Sequence, residues 1–85
     1  MMPAIYVLDV PEFRALIDLS RAPKLYETTD LGNGYFRVRS ADTLEFGRKE
    51  LGFKPAVWYG CVTGGIDGTI LQFDRDTLRI GPLAP

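Results

Sequence analysis

Ala56-Val57-Trp58-Tyr59-Gly60-Cys61-Val62-Thr63, followed by Gly64-Gly65-Ile66-Asp67-Gly68 and then Thr69-Ile70-Leu71-Gln72-Phe73, reads as the centre of the domain. An apolar run rich in β-branched and aromatic residues, bounded by a glycine turn and answered by a second such run, is the pattern of a hairpin rather than a helix. The expectation is a strand over 56–63, a turn over 64–68 and a strand over 69–73. Side chains alternate along a strand, so Trp58 and Tyr59 point to opposite faces. If helices cover one face, the other keeps a large aromatic uncovered. On so small a domain such a face predicts burial by a second copy, hence a homodimer.

Outward toward the C-terminus, 69–73 and 77–80 flank Asp74-Arg75-Asp76 as another hairpin, and Gly81-Pro82-Leu83-Ala84-Pro85 ends the chain. Outward toward the N-terminus, Ser40 and Asp42 are candidate N-caps of a helix that carries Leu44 and Leu51, with Gly47 weakening its interior and Gly52 as its C-cap. Before it, 25–29 and 35–39 flank the reversal Asp30-Leu31-Gly32-Asn33-Gly34 and should pair as a hairpin. Phe36 and Val38 then face the core, while Tyr35, Arg37 and Arg39 share the opposite face.

The first strand is Ile5-Tyr6-Val7-Leu8. Asp9 with Glu12 has the spacing of a capping box, Pro11 suits a first helical turn, and Phe13, Leu16, Ile17 and Ser20 recur on one helical face. A helix over 10–21 follows, ended by Ala22-Pro23. The order is strand, helix, two strands, helix, three strands. It predicts an α+β two-layer sandwich, two helices on a mostly antiparallel sheet of five to six strands. Residues 1–81 form one compact domain and 82–85 a tail.

A chain of 85 residues buries only about two thirds of its unfolded surface, so its margin of stability is small. With 46% hydrophobic and 25% charged residues it belongs with folded globular domains rather than disordered ones. No apolar run approaches the roughly 20 residues of a membrane span, and Met1-Met2-Pro3 leads straight into strand-like sequence, so neither anchor nor signal peptide is expected. One cysteine allows no internal disulfide and no multi-cysteine zinc site, which makes the cytoplasm the default compartment. There is no histidine, the side chain most used for proton transfer near neutral pH. Ten basic and eleven acidic residues give a net charge of −1, so no global field draws the chain to nucleic acid or anionic membranes.

Four features invite a chemical reading. Thr63, Gly64, Gly65 and Asp67 form a glycine turn whose amides could hold an anion, but no helix follows and Asp67 would repel one; a plain hairpin turn is preferred. Asp74-Arg75-Asp76-Thr77 misses by one residue the spacing of the aspartate pair in phosphoryl-transfer hydrolases, and a solvated loop is the better reading. Cys61 lies in an apolar run with no histidine to deprotonate it, so it reads as a small hydrophobe. Tyr35, Arg37 and Arg39, with Lys24 or Tyr26 from the neighbouring strand, remain as the strongest surface, because aromatics beside arginines serve both protein interfaces and single-stranded nucleic-acid platforms.

The expected function is a small non-enzymatic interaction module in the cytoplasm, self-associating through its sheet and binding a protein partner, with Tyr35, Arg37, Arg39, Trp58 and Tyr59 as its surface. It needs no metal, cofactor or catalytic residue. The alternatives are a small-ligand or anion site at 64–68 and single-stranded nucleic-acid binding through Tyr35, Arg37 and Arg39, which the net charge disfavours.

Overall fold

Strand β1 (Ala4–Leu8) buries Ile5 and Val7 on one face and leaves Tyr6 and Leu8 on the other, which is the period of two expected of it. These relations come from a computed structural model, which describes residues 2–21 and 26–83. After β1 a 3-10 turn (Pro11–Phe13) leads into α1 (Arg14–Arg21), whose Leu16, Ile17 and Ser20 are buried. Asp9 caps no amide here; its carboxylate pairs with Arg14 at 2.9 Å. The predicted helix end at Ala22-Pro23, together with Lys24 and Leu25, lies outside the described residues.

Strands β2 (Glu27–Asp30) and β3 (Tyr35–Arg39) form the predicted antiparallel hairpin, and β3 also pairs with β1, setting Tyr6 beside Arg37 and Ile5 beside Val38. The next expected element is corrected. Residues 44–47 are strand β4 (Leu44–Gly47), with Leu44 and Phe46 buried and Glu45 exposed, and the helix α2 is only Arg48–Leu51. The Ser40 hydroxyl accepts the Asp42 amide at 3.1 Å in a turn, so the polar chemistry expected of a helix cap closes a loop instead. Gly52 does take the left-handed C-cap conformation expected of it, with φ 71°.

The expected central strand is corrected too. Residues 55–60 are a helix, α3 (Pro55–Gly60), with Pro55 in the first turn after an extended Lys54. Its buried residues obey a helical period: Trp58 and Cys61 face the core while Ala56 and Tyr59 are exposed. Residues 56–63 therefore do not pair with β6 (Thr69–Phe73), which among the described residues pairs with β7 (Thr77–Gly81), as the last predicted hairpin. Between them and α3, the short β5 (Ile66–Asp67) pairs with β1.

The α+β class holds, with three α-helices and two antiparallel sheets among the described residues, in the order β2-β3-β1-β5 and β4-β7-β6. One core lies between them. Ile5, Val7, Phe36 and Val38 from the first sheet meet Leu44, Phe46, Leu78 and Ile80 from the second, with Leu16 and Ile17 of α1 and Trp58 of α3 completing it. Among the described residues no helix is long and apolar enough to cross a membrane.

Candidate functional site

The helices direct their buried side chains into the core, on the side of the four-stranded sheet that carries Ile5, Val7, Phe36 and Val38. Its other side is therefore where a partner can approach. Register places Tyr6 and Leu8 of β1, Tyr35, Arg37 and Arg39 of β3, Glu27 and Thr29 of β2 and Asp67 of β5 on that outer side. Period-two alternation thus brings Tyr35, Arg37 and Arg39 together as the sequence predicts. It also adds Tyr6, which alternates with Ile5 and Val7 and by that signal belongs to the same face.

The charges on this face are unequally committed. Arg39 donates from Nε and Nη2 to one oxygen of Glu27, at 2.9 and 2.6 Å, and this bonding holds the Glu27 carboxyl below its ordinary range. The Tyr6 hydroxyl donates to Asp67 at 2.7 Å; that bond stabilises the neutral phenol, and burial adds to it, so the Tyr6 pKa is raised. Arg37 makes no ion pair among the described residues, and its Nε is buried without an acceptor. A cleft of about 360 Å³ beside it is lined by Met2, Ala4, Tyr6, Arg37, Arg39 and Asp67. The arrangement can hold an acceptor on Arg37 beside the Tyr6 ring.

The other predicted site residues lie elsewhere. Trp58, expected on an exposed sheet face, has no solvent exposure; its Nε1 donates to the Asp74 carbonyl at 2.7 Å and its ring meets Phe73 edge-on. Tyr59 is exposed, but on α3 beside Phe73 of the second sheet. Tyr26 ties the two sheets together, its hydroxyl accepting the Glu45 amide and donating to the Glu45 carbonyl. The two-faced ribbon that motivated self-pairing is thus a helix with its tryptophan already covered. Lys24 lies outside the described residues.

The glycine turn is tied to its own chain by hydrogen bonds, with Thr63 and Gly65 exposed. Gly65 donates to the Val62 carbonyl and accepts from Tyr6, the Thr63 amide and hydroxyl both bond Gly60, and Asp67 holds Tyr6. These groups are bonded within the fold. The loop at 74–76 is equally occupied: Asp74 accepts the Asp76 and Thr77 amides and the Gln72 side chain, which lowers its pKa, the Gln72 bond first. Arg48, which no motif in the sequence marked, pins this loop by donating to the carbonyls of Arg75 and Phe53 and to Asp76.

Cys61 is buried, and burial pushes its thiol up to about 11. The thiolate is the reacting species, so against an unfolded thiol near 9 the folded protein at pH 8 holds about a hundredfold less of it. Iodoacetamide labelling at pH 8 should accordingly be at least about a hundredfold slower in native buffer than in denaturant. Equal rates would contradict the buried placement.

No protein-family model matches the sequence, and no curated protein matches it. Among solved structures, the chain resembles one from a phenol hydroxylase–regulatory protein complex, with a TM-score of 0.76 at 15% identity, over 95% of this chain and 98% of that one. At that identity the likeness shows a shared α+β fold over nearly all of both chains.

Proposed function

We propose that this chain is a non-catalytic docking module that binds a protein partner through the outer side of its four-stranded sheet and regulates that partner. The observation that carries the reading is Arg37. It sits at the centre of the face, directly across from Tyr6, with a buried Nε that nothing among the described residues satisfies. An arginine flanked by tyrosines is the composition of interface hot spots. Glu27 and Asp67 share the face, so a phosphate backbone would meet as many negative side chains as positive ones; this favours protein over nucleic acid.

The structural neighbour supports the reading, since it comes from a complex between a hydroxylase and a regulatory protein, and it shares this chain's size and fold. An enzyme subunit is accordingly the expected partner. A buried free thiol as the single cysteine fits a reducing cytoplasm.

The test is affinity capture from native extract with the tagged chain and its Arg37→Glu variant, the retained proteins being identified by mass spectrometry. One protein should be held by the parent and lost by the variant, with an affinity loss of about 2 kcal/mol or more, roughly thirtyfold. Thermal unfolding of the two forms should agree within a few degrees. Equal retention by both, or none by either, would remove the reading.

A further inference from the structure

We infer that Asn33 is a site of spontaneous covalent modification: in the folded protein it closes a succinimide ring with Gly34, releases ammonia and opens to aspartyl and isoaspartyl forms, the second of which loosens the β2–β3 turn. Asn33 is the only asparagine of the chain. It stands in the exposed segment 31–34, and its side-chain amide makes no hydrogen bond among the described residues. Other groups hold the turn. Asp30 Oδ1 accepts the Gly32 amide at 2.8 Å, the Leu31 amide donates to the Tyr35 carbonyl at 2.9 Å, and the Asp9 amide donates to the Gly34 carbonyl at 2.8 Å. The Gly34 amide finds no acceptor among the described residues. A nitrogen committed to a ladder cannot turn on its neighbour, whereas this one is free to do so. Glycine also clears the approach, because it carries no Cβ and no atom lies within 4 Å of where one would stand.

In the ring-closing step the Gly34 nitrogen bonds to Cγ of Asn33, the Cγ–Nδ2 bond breaks, and the amide proton leaves with the side-chain nitrogen as ammonia. Water then opens the ring at one of its two carbonyls. Opening at Cγ restores the ordinary backbone with an aspartate at 33; opening at the main-chain carbonyl routes the chain through Cβ and Cγ and inserts a methylene. Both products add a negative charge close to Asp30. The isoaspartyl form also displaces Gly34, whose carbonyl holds the Asp9 amide. Asp67-Gly68 is the same kind of pair in the opposite situation. Asp67 lies in β5 opposite Ala4, and its carboxylate accepts the Tyr6 hydroxyl at 2.7 Å, so it is held away from ring closure.

Native protein kept at pH 8 and 37 °C, then digested briefly with trypsin, should show the 25–37 peptide gaining about 1 Da in two separable forms, aspartyl and isoaspartyl. Conversion in the folded protein should run within about tenfold of its rate in denaturant, since the turn offers no protection. Gly34→Ala should slow it by at least about tenfold. Asn33→Asp is chemically the aspartyl product and should melt with the parent, while the isolated isoaspartyl form should melt at least about 4 °C lower. Conversion more than about tenfold slower in the folded state would overturn the inference. So would an aspartyl product alone, isoaspartate arising equally at 67, or an isoaspartyl form that melts with the parent. Arg37 takes no part in this chemistry, so it stands or falls separately from partner docking.

Discussion

Trp58→Ala is expected to destabilise the domain by about 3–5 kcal/mol, at the top of the range for single core truncations. The indole has no solvent exposure, lies edge-on to Phe73 with ring centroids 5.9 Å apart, and donates to the Asp74 carbonyl at 2.7 Å. Its removal leaves both a cavity and an unsatisfied acceptor on the turn that joins β6 to β7. A domain of this size has a total stability near the lower end of about 5–15 kcal/mol, so the variant should be largely unfolded at modest temperature. Trp58→Phe keeps most of the ring contact but loses the donor, and should cost about 1–3 kcal/mol. Urea unfolding followed by circular dichroism measures both, since the only tryptophan is the residue replaced. A loss under about 1 kcal/mol for Trp58→Ala would return Trp58 to the surface and undo the assignment of α3 to the core.

The second large effect is at Gly64. A methyl group there would stand 2.2 Å from the Tyr6 carbonyl oxygen and 3.0 Å from Cε1 of Tyr35. The nearer obstacle is backbone of β1, which cannot rotate away, so Gly64→Ala should cost at least about 2–3 kcal/mol. Gly65 offers the contrast: open space surrounds it, and its φ of +101° is the sole objection to a side chain. Gly65→Ala should cost about 1–2 kcal/mol from backbone strain alone. Thermal unfolding should therefore rank Gly64→Ala clearly below Gly65→Ala, and both below the parent. Equal melting temperatures would contradict the close approach of Gly64 to the β1 backbone.

Where a single rule decided an element, its residues reveal it. Phe36 and Val38 alternate with Tyr35, Arg37 and Arg39, and no other secondary structure puts those two sets on opposite sides. Leu16, Ile17 and Ser20 recur at helical spacing behind Pro11, and α1 is where they predict it. The segment 56–63 is different, because its β-branched and aromatic residues satisfy a strand while Pro55 after an extended Lys54 satisfies a helix start. Tertiary burial chose the helix, which turns Trp58 and Cys61 inward together. Ser40 and Asp42 posed the same ambiguity, since the oxygen that caps a helix closes a turn equally well, and β4 rather than a helix could bury Leu44 with Phe46.

The binding face divides in the same way. Tyr35, Arg37 and Arg39 share a side by strand periodicity, but that Arg39 is bonded to Glu27, that Tyr6 is held by Asp67 and that the Arg37 Nε finds no acceptor among the described residues depend on register across four strands. No local rule reports it.

What the amino-acid order determines by itself is the class of the domain, the β2–β3 and β6–β7 hairpins and the side of β3 that carries its arginines, because period-two and period-3.6 patterning act between near neighbours. What only the tertiary structure decided is that Trp58 is a core residue, that the glycine turn lies against β1, and that β6 is an outer strand of its sheet. Each of those depends on which distant segment arrives to cover the chain, and segments that fit two local conformations equally well are resolved by burial alone.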